Sequence, residues 1–445
     1  MTRRTDQLKL GAFLANSGHH VSAWRHPLAQ ADASLDFEHF KHIAQTAERG
    51  KFDALFVADV VALWGHHHDA LSRTARAEHF EPLTLMAALA AVTSNIGLIA
   101  TATTSYNEPY HIARKFASLD HLSKGRAAWN LVTSVVSDEA WNFGRETHID
   151  HGDRYQRAEE FHDVVKGLWD SWDDDAFTRD KASGEYFDPA KLHTLNHRGE
   201  HFSVRGPLNV ARPPQGHPVL VQAGASEPGK ALAARVAELI FAVNHDLAGA
   251  QAFYQDIKQR AAAFGRDPDH IKILPGVTPF IGETREQAQA LFEEFQALVD
   301  PVLGLRFLAD TLGDDIDLSG YDLDGPLPET PVGQRGSRRD KLLELARSQN
   351  LSIRQLYLHL TAGNPVIGTA EDIADFFEQW FEARACDGFN VFFPYFPGGI
   401  DLFVEQVIPL LQQRGLFRTE YEGTTLRENL GLPRPANRFT QGATP

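Results

Sequence analysis

Eight times along the 445 residues a short apolar, β-rich run is followed by a longer stretch of helical period, and no other feature narrows the fold so far. The runs cover 9–15, 54–58, 96–103, 127–133, 219–222, 239–243, 271–280 and 388–393. Helices are expected at 36–49, 82–92, 109–123, 154–169, 227–237, 248–264, 284–299 and 400–413. Pro82 and Pro109 suit the first turn of a helix, and Gly50 and Gly415 suit its end. Strands joined through helices run parallel with right-handed crossovers, and eight of them close into a barrel. The expected fold is α/β, a single (β/α)8 TIM barrel spanning 1–445, with an open doubly wound sheet as the alternative.

Three stretches exceed the bare repeat, at 60–80, 173–217 and 300–369, and are rich in Gly, Pro, Asp and His. Insertions of this length are usually lids or binding loops, and the third contains an expected helix at 338–349. Residues 419–445 read as a C-terminal surface tail. With 59 acidic and 43 basic residues the net charge is −16, which repels phosphate backbones and anionic lipid and argues against a nucleic-acid or membrane partner. Cys386 is the lone cysteine, so no intrachain disulfide or thiolate-rich metal site is possible, and a cytoplasmic setting fits. The most apolar stretch, 85–102, is interrupted by Thr93, Ser94 and Asn95, so neither a membrane span nor an export signal is expected.

In such a barrel the chemistry belongs at the carboxyl ends of the strands. The residues there are Asp59 after the second strand, Thr103, Thr104 and Ser105 after the third, Trp129 and Asn130 on the fourth, and Ala223, Gly224, Ala225 and Ser226 after the fifth. At the fifth exit a glycine turn and a serine precede a helix, a layout whose free N–H groups suit one phosphate. A plain helix cap accounts for Ser226 equally well. The same segment nearly matches a phosphate-binding P-loop, but Ala231 stands where a Mg²⁺-binding hydroxyl is needed and Pro228 removes an N–H. No G-x-G-x-x-G occurs, so a Rossmann nicotinamide site is not expected. The run His66-His67-His68 raises a metal-dependent hydrolase as a hypothesis, but no matched ligand set is evident at other strand ends and no metal is expected. His151, just before a helix whose first turn carries Tyr155, either caps that helix or reaches a ligand.

Longer blocks make the reading specific. They include Gly18-His-His-Val-Ser-Ala-Trp-Arg-His-Pro27, Ala47-Glu-Arg-Gly-Lys-Phe-Asp-Ala-Leu-Phe-Val-Ala-Asp59, Thr101-Ala-Thr-Thr-Ser-Tyr-Asn-Glu-Pro-Tyr-His-Ile-Ala-Arg114, Gln222-Ala-Gly-Ala-Ser226 and Arg414-Gly-Leu-Phe-Arg-Thr-Glu-Tyr-Glu-Gly423. In these the chain resembles the bacterial-luciferase-like flavin monooxygenases, in the branch of nitrilotriacetate monooxygenase component A, EDTA monooxygenase and dibenzothiophene sulfone monooxygenase.

The resemblance implies a two-component enzyme in which FMN arrives reduced from a separate NAD(P)H-dependent flavin reductase. FMNH2 and O2 would form a flavin C4a-peroxide that oxygenates and cleaves a C–N or C–S bond of a small organic substrate. It also implies flavin contacts from Asp59, Thr104 and Asn130 near the isoalloxazine, with Thr103 beside them. His151, Tyr155 and Ser226, with Gly224 and Ala225, would face the ribityl chain and phosphate. His20 is a candidate proton donor or substrate anchor, and Phe13, Trp24, Arg25, Phe56 and Trp64 are candidate pocket residues. Aromatic walls fit a sulfone or aryl compound, whereas Arg25 with nearby histidines fits a carboxylated amine. A homodimer or homotetramer is implied as well. The alternatives are a flavin- or deazaflavin-dependent reductase on the same barrel and the metal-dependent hydrolase.

Overall fold

A computed structural model describes residues 4–63, 67–313, 316–328 and 337–440. Eight strands form the barrel: β1 (Lys9–Phe13), β2 (Ala54–Val57), β3 (Gly97–Thr103), β4 (Ala127–Val132), β5 (Val219–Gln222), β6 (Leu239–Ala242), β7 (Lys272–Ile281) and β8 (Gly388–Phe392). Every neighbouring pair is parallel in chain order, and β8 pairs with both β7 and β1, which closes the sheet and excludes the open alternative. All eight expected strands are present, their ends shifted by a residue or two.

Strand alternation decides what faces the barrel interior. On β4 the indole of Trp129 points outward, where it meets Phe116 and Phe161 of the flanking helices and donates to the Ala102 carbonyl at 2.9 Å. Its neighbour Asn130 donates to the Thr101 hydroxyl at 2.8 Å. The expectation that both residues line the rim is therefore corrected for Trp129, which is core.

The connection from β7 to β8 is richer in helix than expected. Beyond helix Arg285–Ala297 it holds helices Pro301–Leu312, Ser337–Ser348 and Ile353–Thr361, a short strand Pro365–Gly368 paired with the end of β7, and helix Ala370–Glu382. The local signals are present: Asp300 caps ahead of Pro301, and Ser352 with Gln355 and Thr369 with Asp372 form capping boxes. Leu303, Leu308, Leu342, Ile353 and Leu356 bury one another in a separate apolar cluster that also takes in Val21 and Ala70 from the loops after β1 and β2. The insertion therefore leans on the carboxyl-end loops as a cover. The helix after β8 begins at Gly398 and passes through a π turn at Phe403–Val407.

The expected surface tail is corrected too. Leu426, Leu430 and Leu432 are buried with Phe56, Ile99, Val221 and Leu239, so the tail plugs the amino-end floor of the barrel. Arg427 is 2 % exposed and forms a two-pronged ion pair with Glu238, Nη1–Oε1 at 2.5 Å and Nη2–Oε2 at 2.9 Å. Buried Arg418 pairs with buried Asp53 beside it. Among the described residues, no helix is long and apolar enough to cross a membrane.

Candidate active site

The β5 exit forms a compact cradle. Gln222 turns its side-chain oxygen back to accept the N–H of Gly224 at 2.6 Å. Ser226 caps helix Glu227–Val236, accepting the N–H of Gly229 at 3.2 Å and donating to the Tyr155 hydroxyl at 3.4 Å. Gly224 and Gly229 touch backbone to backbone: a Cβ on Gly224 would stand 2.9 Å from the Gly229 Cα, and one on Gly229 would stand 3.0 Å from the Tyr155 oxygen. Ala225 and Ser226 are exposed above this contact, at a helix start whose first N–H groups have no intrahelical acceptor. A group of phosphate size and charge fits there. Lys230 is committed elsewhere, to Glu227 and to Asp256 at 2.9 Å, so the P-loop likeness lacks its lysine.

Between the cradle and the barrel lie the exits of β3 and β4. Thr104 is fully buried, with its N–H and hydroxyl both donating to the Val132 carbonyl at 2.9 and 3.2 Å. Thr103 accepts from the Ser105 N–H at 3.1 Å and the Ser134 hydroxyl at 2.8 Å. Asn130 is 2 % exposed, and its carbonyl oxygen is buried with no partner. Such an acceptor is costly unless a ligand donor completes it.

His151 is exposed at the first position of helix His151–Trp169, its ring 5.0 Å from that of Tyr155. The helix start is tied down by Arg154, which donates to the Ser134 carbonyl and to His148 at 2.8 Å, while His148 meets the Tyr106 hydroxyl at 2.5 Å. Arg154 and His148 hold the start of this helix against the loop after β4, a contact not legible in the sequence.

Across the barrel, β1, β2, β6 and β8 contribute Phe13, Phe56, Phe241 and Phe392. Phe13 meets Phe56 at 4.6 Å and Phe392 at 4.7 Å, both edge-on. The imidazole of His19 stacks on Phe392 at 4.5 Å and donates from Nε2 to the Phe13 carbonyl at 3.1 Å. The expected pocket residues Phe13 and Phe56 thus join one aromatic floor, together with the unanticipated His19, Phe241 and Phe392.

Other expected pocket members behave differently. Trp24 is a strut, its indole donating to the Arg73 carbonyl at 3.1 Å. Arg25 is exposed and donates to the Leu298 carbonyl at the end of helix Arg285–Ala297, away from the aromatic floor. It is therefore not the cation of the barrel mouth. Trp64 lies outside the described residues. Asp59 is held by His79 at 3.3 Å, and that hydrogen bond raises the His79 pKa.

On the β1–β2 side of the mouth stands Arg76, which sequence alone did not single out. The loop after β2 is stitched to the loop after β1: Thr74 donates to the Val21 carbonyl at 3.1 Å, Arg76 to the His19 carbonyl at 3.1 Å, and Asn16 to the Ala75 and Glu78 carbonyls at 2.8 and 2.9 Å. This brings Arg76 beside His19 and His20. Burial, and secondarily the Arg76 charge, push both imidazoles down to about 3. His20 is 4 % exposed, and its Nδ1 accepts the Ser22 N–H at 3.3 Å, which leaves its proton on Nε2, buried without a partner.

A pH dependence follows. An unfolded histidine titrates near 6.5, so between that value and about 3 the unfolded chain binds more protons than the folded one, and stability falls as pH drops through this window. For His20 the slope is up to ~1.4 kcal/mol per pH unit. Unfolding midpoints measured from pH 7 to pH 4.5 should decline less steeply in His20→Gln than in the parent. Parallel declines would remove His20 from the account.

Of the His66–His68 run, His66 lies outside the described residues. Among the described residues, no group of three or more His, Cys, Asp or Glu side chains is placed to hold a metal ion.

Residues 17–386 match the family model described as luciferase-like monooxygenase. The chain is 54 % identical to the N-acetyl-S-(2-succino)cysteine monooxygenase of Bacillus subtilis (strain 168), over 99 % of this chain and all of that one. It is 52 % identical to nitrilotriacetate monooxygenase component A of Aminobacter aminovorans, over 97 % of this chain and 98 % of the relative. Among solved structures, DmoA from Hyphomicrobium sulfonivorans superposes with a TM-score of 0.87 at 33 % identity, covering 96 % of this chain and 92 % of that one. With a closed parallel barrel, a family model matched over most of its length and relatives this similar from end to end, the chain belongs to the luciferase-like monooxygenase family.

Proposed function

We propose that the chain is the oxygenase of a two-component, FMNH2-dependent pair, and that it oxygenates and thereby cleaves a C–S or C–N bond of a small organic substrate. One observation carries the reading: a phosphate-sized cradle at the β5 exit shares the barrel mouth with an aromatic floor on the β1 side, joined by a rim that holds the unpartnered Asn130 oxygen. The names of the Bacillus and Aminobacter relatives support a heteroatom-bearing acid as substrate, and "component A" implies a second component for the latter.

In this reading Ser226, Tyr155 and the N–H groups near Gly224 and Ala225 hold the phosphate, with His151 toward the ribityl chain. Asn130, Thr103, Thr104 and Asp59 face the ring system. Reduced FMN, when bound, supplies the electrons that activate O2 for transfer of one oxygen atom to the substrate. The protein's share is binding, orientation and exclusion of water. Phe13, Phe56, Phe241 and Phe392 make a dry floor, and helices Pro301–Leu312 and Ile353–Thr361 pack over the loops after β1 and β2 as a cover. The neutral His20 offers an N–H at Nε2 as hydrogen-bond or proton donor. With no G-x-G-x-x-G in the chain, a separate NAD(P)H-dependent reductase delivers the reduced flavin by diffusion.

Stopped-flow mixing of the anaerobic protein–FMNH2 complex with oxygenated buffer tests the class. A flavin absorbance transient that outlives that of free FMNH2 is expected, and oxidation at the free-flavin rate, with or without substrate, would count against the proposal. Ser226→Ala should weaken reduced-FMN binding by about 1–3 kcal/mol, the range for a hydrogen bond to a charged group. Unchanged affinity in a folded variant would discard the cradle.

A further inference from the structure

We propose that Arg76 is the docking point for a substrate carboxylate, which restricts this chain to acidic substrates; the proposal rests on the monooxygenase reading above and assigns the substrate class of the same site. Arg76 carries five N–H donors, yet its single hydrogen bond among the described residues is the one to the His19 carbonyl. No described carboxylate lies within ion-pair distance of it. Of the acids on nearby loops, Asp59 is engaged by His79 at 3.3 Å and Asp300 by Arg73 at 3.9 Å, while Asp69 and Glu78 on the same loop form no ion pair with Arg76. Arg76 is packed round by protein but keeps part of its surface in solvent, as a group in a concavity does.

An unpaired cation in such a place is unfavourable, and a protein that keeps one has an anion to complete it. Beside it stands a second unmet donor, the buried Nε2–H of His20, and the hydroxyls of Ser17 and Ser22 on the same loop are also buried without partners. Donors outnumber acceptors here, and both histidines stay neutral, so the local positive charge comes from Arg76.

The anion is not the cofactor's phosphate. Arg76 sits on the loop after β2 and bonds the loop after β1, whereas the Ser226 cradle lies at β5, which stands opposite β1 in an eight-stranded barrel. Between them lies the aromatic floor of Phe13, Phe56, Phe241 and Phe392. The arrangement suits a molecule with a carboxylate at one end, held by the planar guanidinium fork, and an apolar or thioether section over the rings. In a protein of net charge −16, a local cation is needed to admit an anionic substrate.

The test is calorimetric titration of the full chain, with and without bound flavin, using N-acetyl-S-(2-succino)cysteine and its fully methylated ester as probes. The parent should bind the acid at least ~10-fold more tightly than the ester. Arg76→Gln should weaken acid binding by about 10- to 100-fold while leaving the ester and reduced FMN within about twofold. Arg76→Lys, which keeps the charge but not the fork, should fall between. Removal of an unpaired cation should also leave the unfolding midpoint unchanged or raised, which a merely structural arginine would not do. No acid binding by the parent, equal acid affinity in Arg76→Gln, or a parent that prefers the ester overturns the proposal. Failure of the parent to bind reduced FMN would instead sink the monooxygenase reading, and the acid-against-ester comparison without flavin would still decide the role of Arg76.

Discussion

Arg427→Ala is expected to lower the free energy of unfolding by about 3 kcal/mol, a large share of the 5–15 kcal/mol typical of a folded domain. The reason is asymmetry. The pair with Glu238 sits under the barrel floor, where the Arg427 guanidinium also donates to the His217 carbonyl at 2.9 Å and its backbone N–H to the Gln215 side chain at 2.9 Å. Removing the arginine leaves the Glu238 carboxylate largely buried, with only the Leu220 N–H as donor at 3.2 Å. It also removes the arginine stem from a floor that Leu426, Leu430 and Leu432 seal. The double variant Arg427→Met with Glu238→Gln should recover most of the loss, because no charge is then stranded. Urea unfolding followed by circular dichroism checks both. A single variant as stable as the parent would show that the tail rests on the floor without holding it.

The second large effect concerns ligand affinity. Gly224→Ala should weaken reduced-FMN binding by roughly a hundredfold, the penalty for displacing a preorganised site by about 1 Å. The added methyl would lie 2.9 Å from the Gly229 Cα and 2.5 Å from the Gln222 amide nitrogen, so the turn and the helix start must separate. That separation moves Ser226 away from the Tyr155 hydroxyl and spreads the N–H groups that would meet the phosphate. Ala225→Gly, at an exposed position in the same turn, should change affinity little. Anaerobic fluorescence titration distinguishes the two. Equal affinities in Gly224→Ala and the parent would mean that the phosphate is held elsewhere.

Legibility differed sharply between kinds of feature. Strand and helix positions follow from periods of 2 and 3.6 residues and from Pro and Gly punctuation, which are local, so all eight strands were readable. Three helices beyond 300 that hydrophobic period alone does not announce carry local caps at Asp300, Ser352 and Thr369, the first two inside the 300–369 insertion and the third just past it. Asp59, Thr103, Thr104, Asn130 and Ser226 could be nominated because a barrel sends strand ends to one rim whatever the side chains do. Trp129 could not be separated from Asn130 without knowing the pleat, since adjacent residues differ only in the face they take.

What the amino-acid order determined by itself was the alternation, hence the closed parallel barrel and the rim on which chemistry sits, together with the absence of a nucleotide fingerprint and of any second cysteine. The tertiary structure decided the rest. It turned Arg25 outward and Arg76 toward His19 and His20, joined Phe241 and Phe392 to Phe13, and drove residues 426–432 under the barrel instead of over its surface. These outcomes depend on which loops, dozens to hundreds of residues apart, compete for the same buried space and the same hydrogen-bond partners. No local period encodes that competition; it is settled when the whole chain packs.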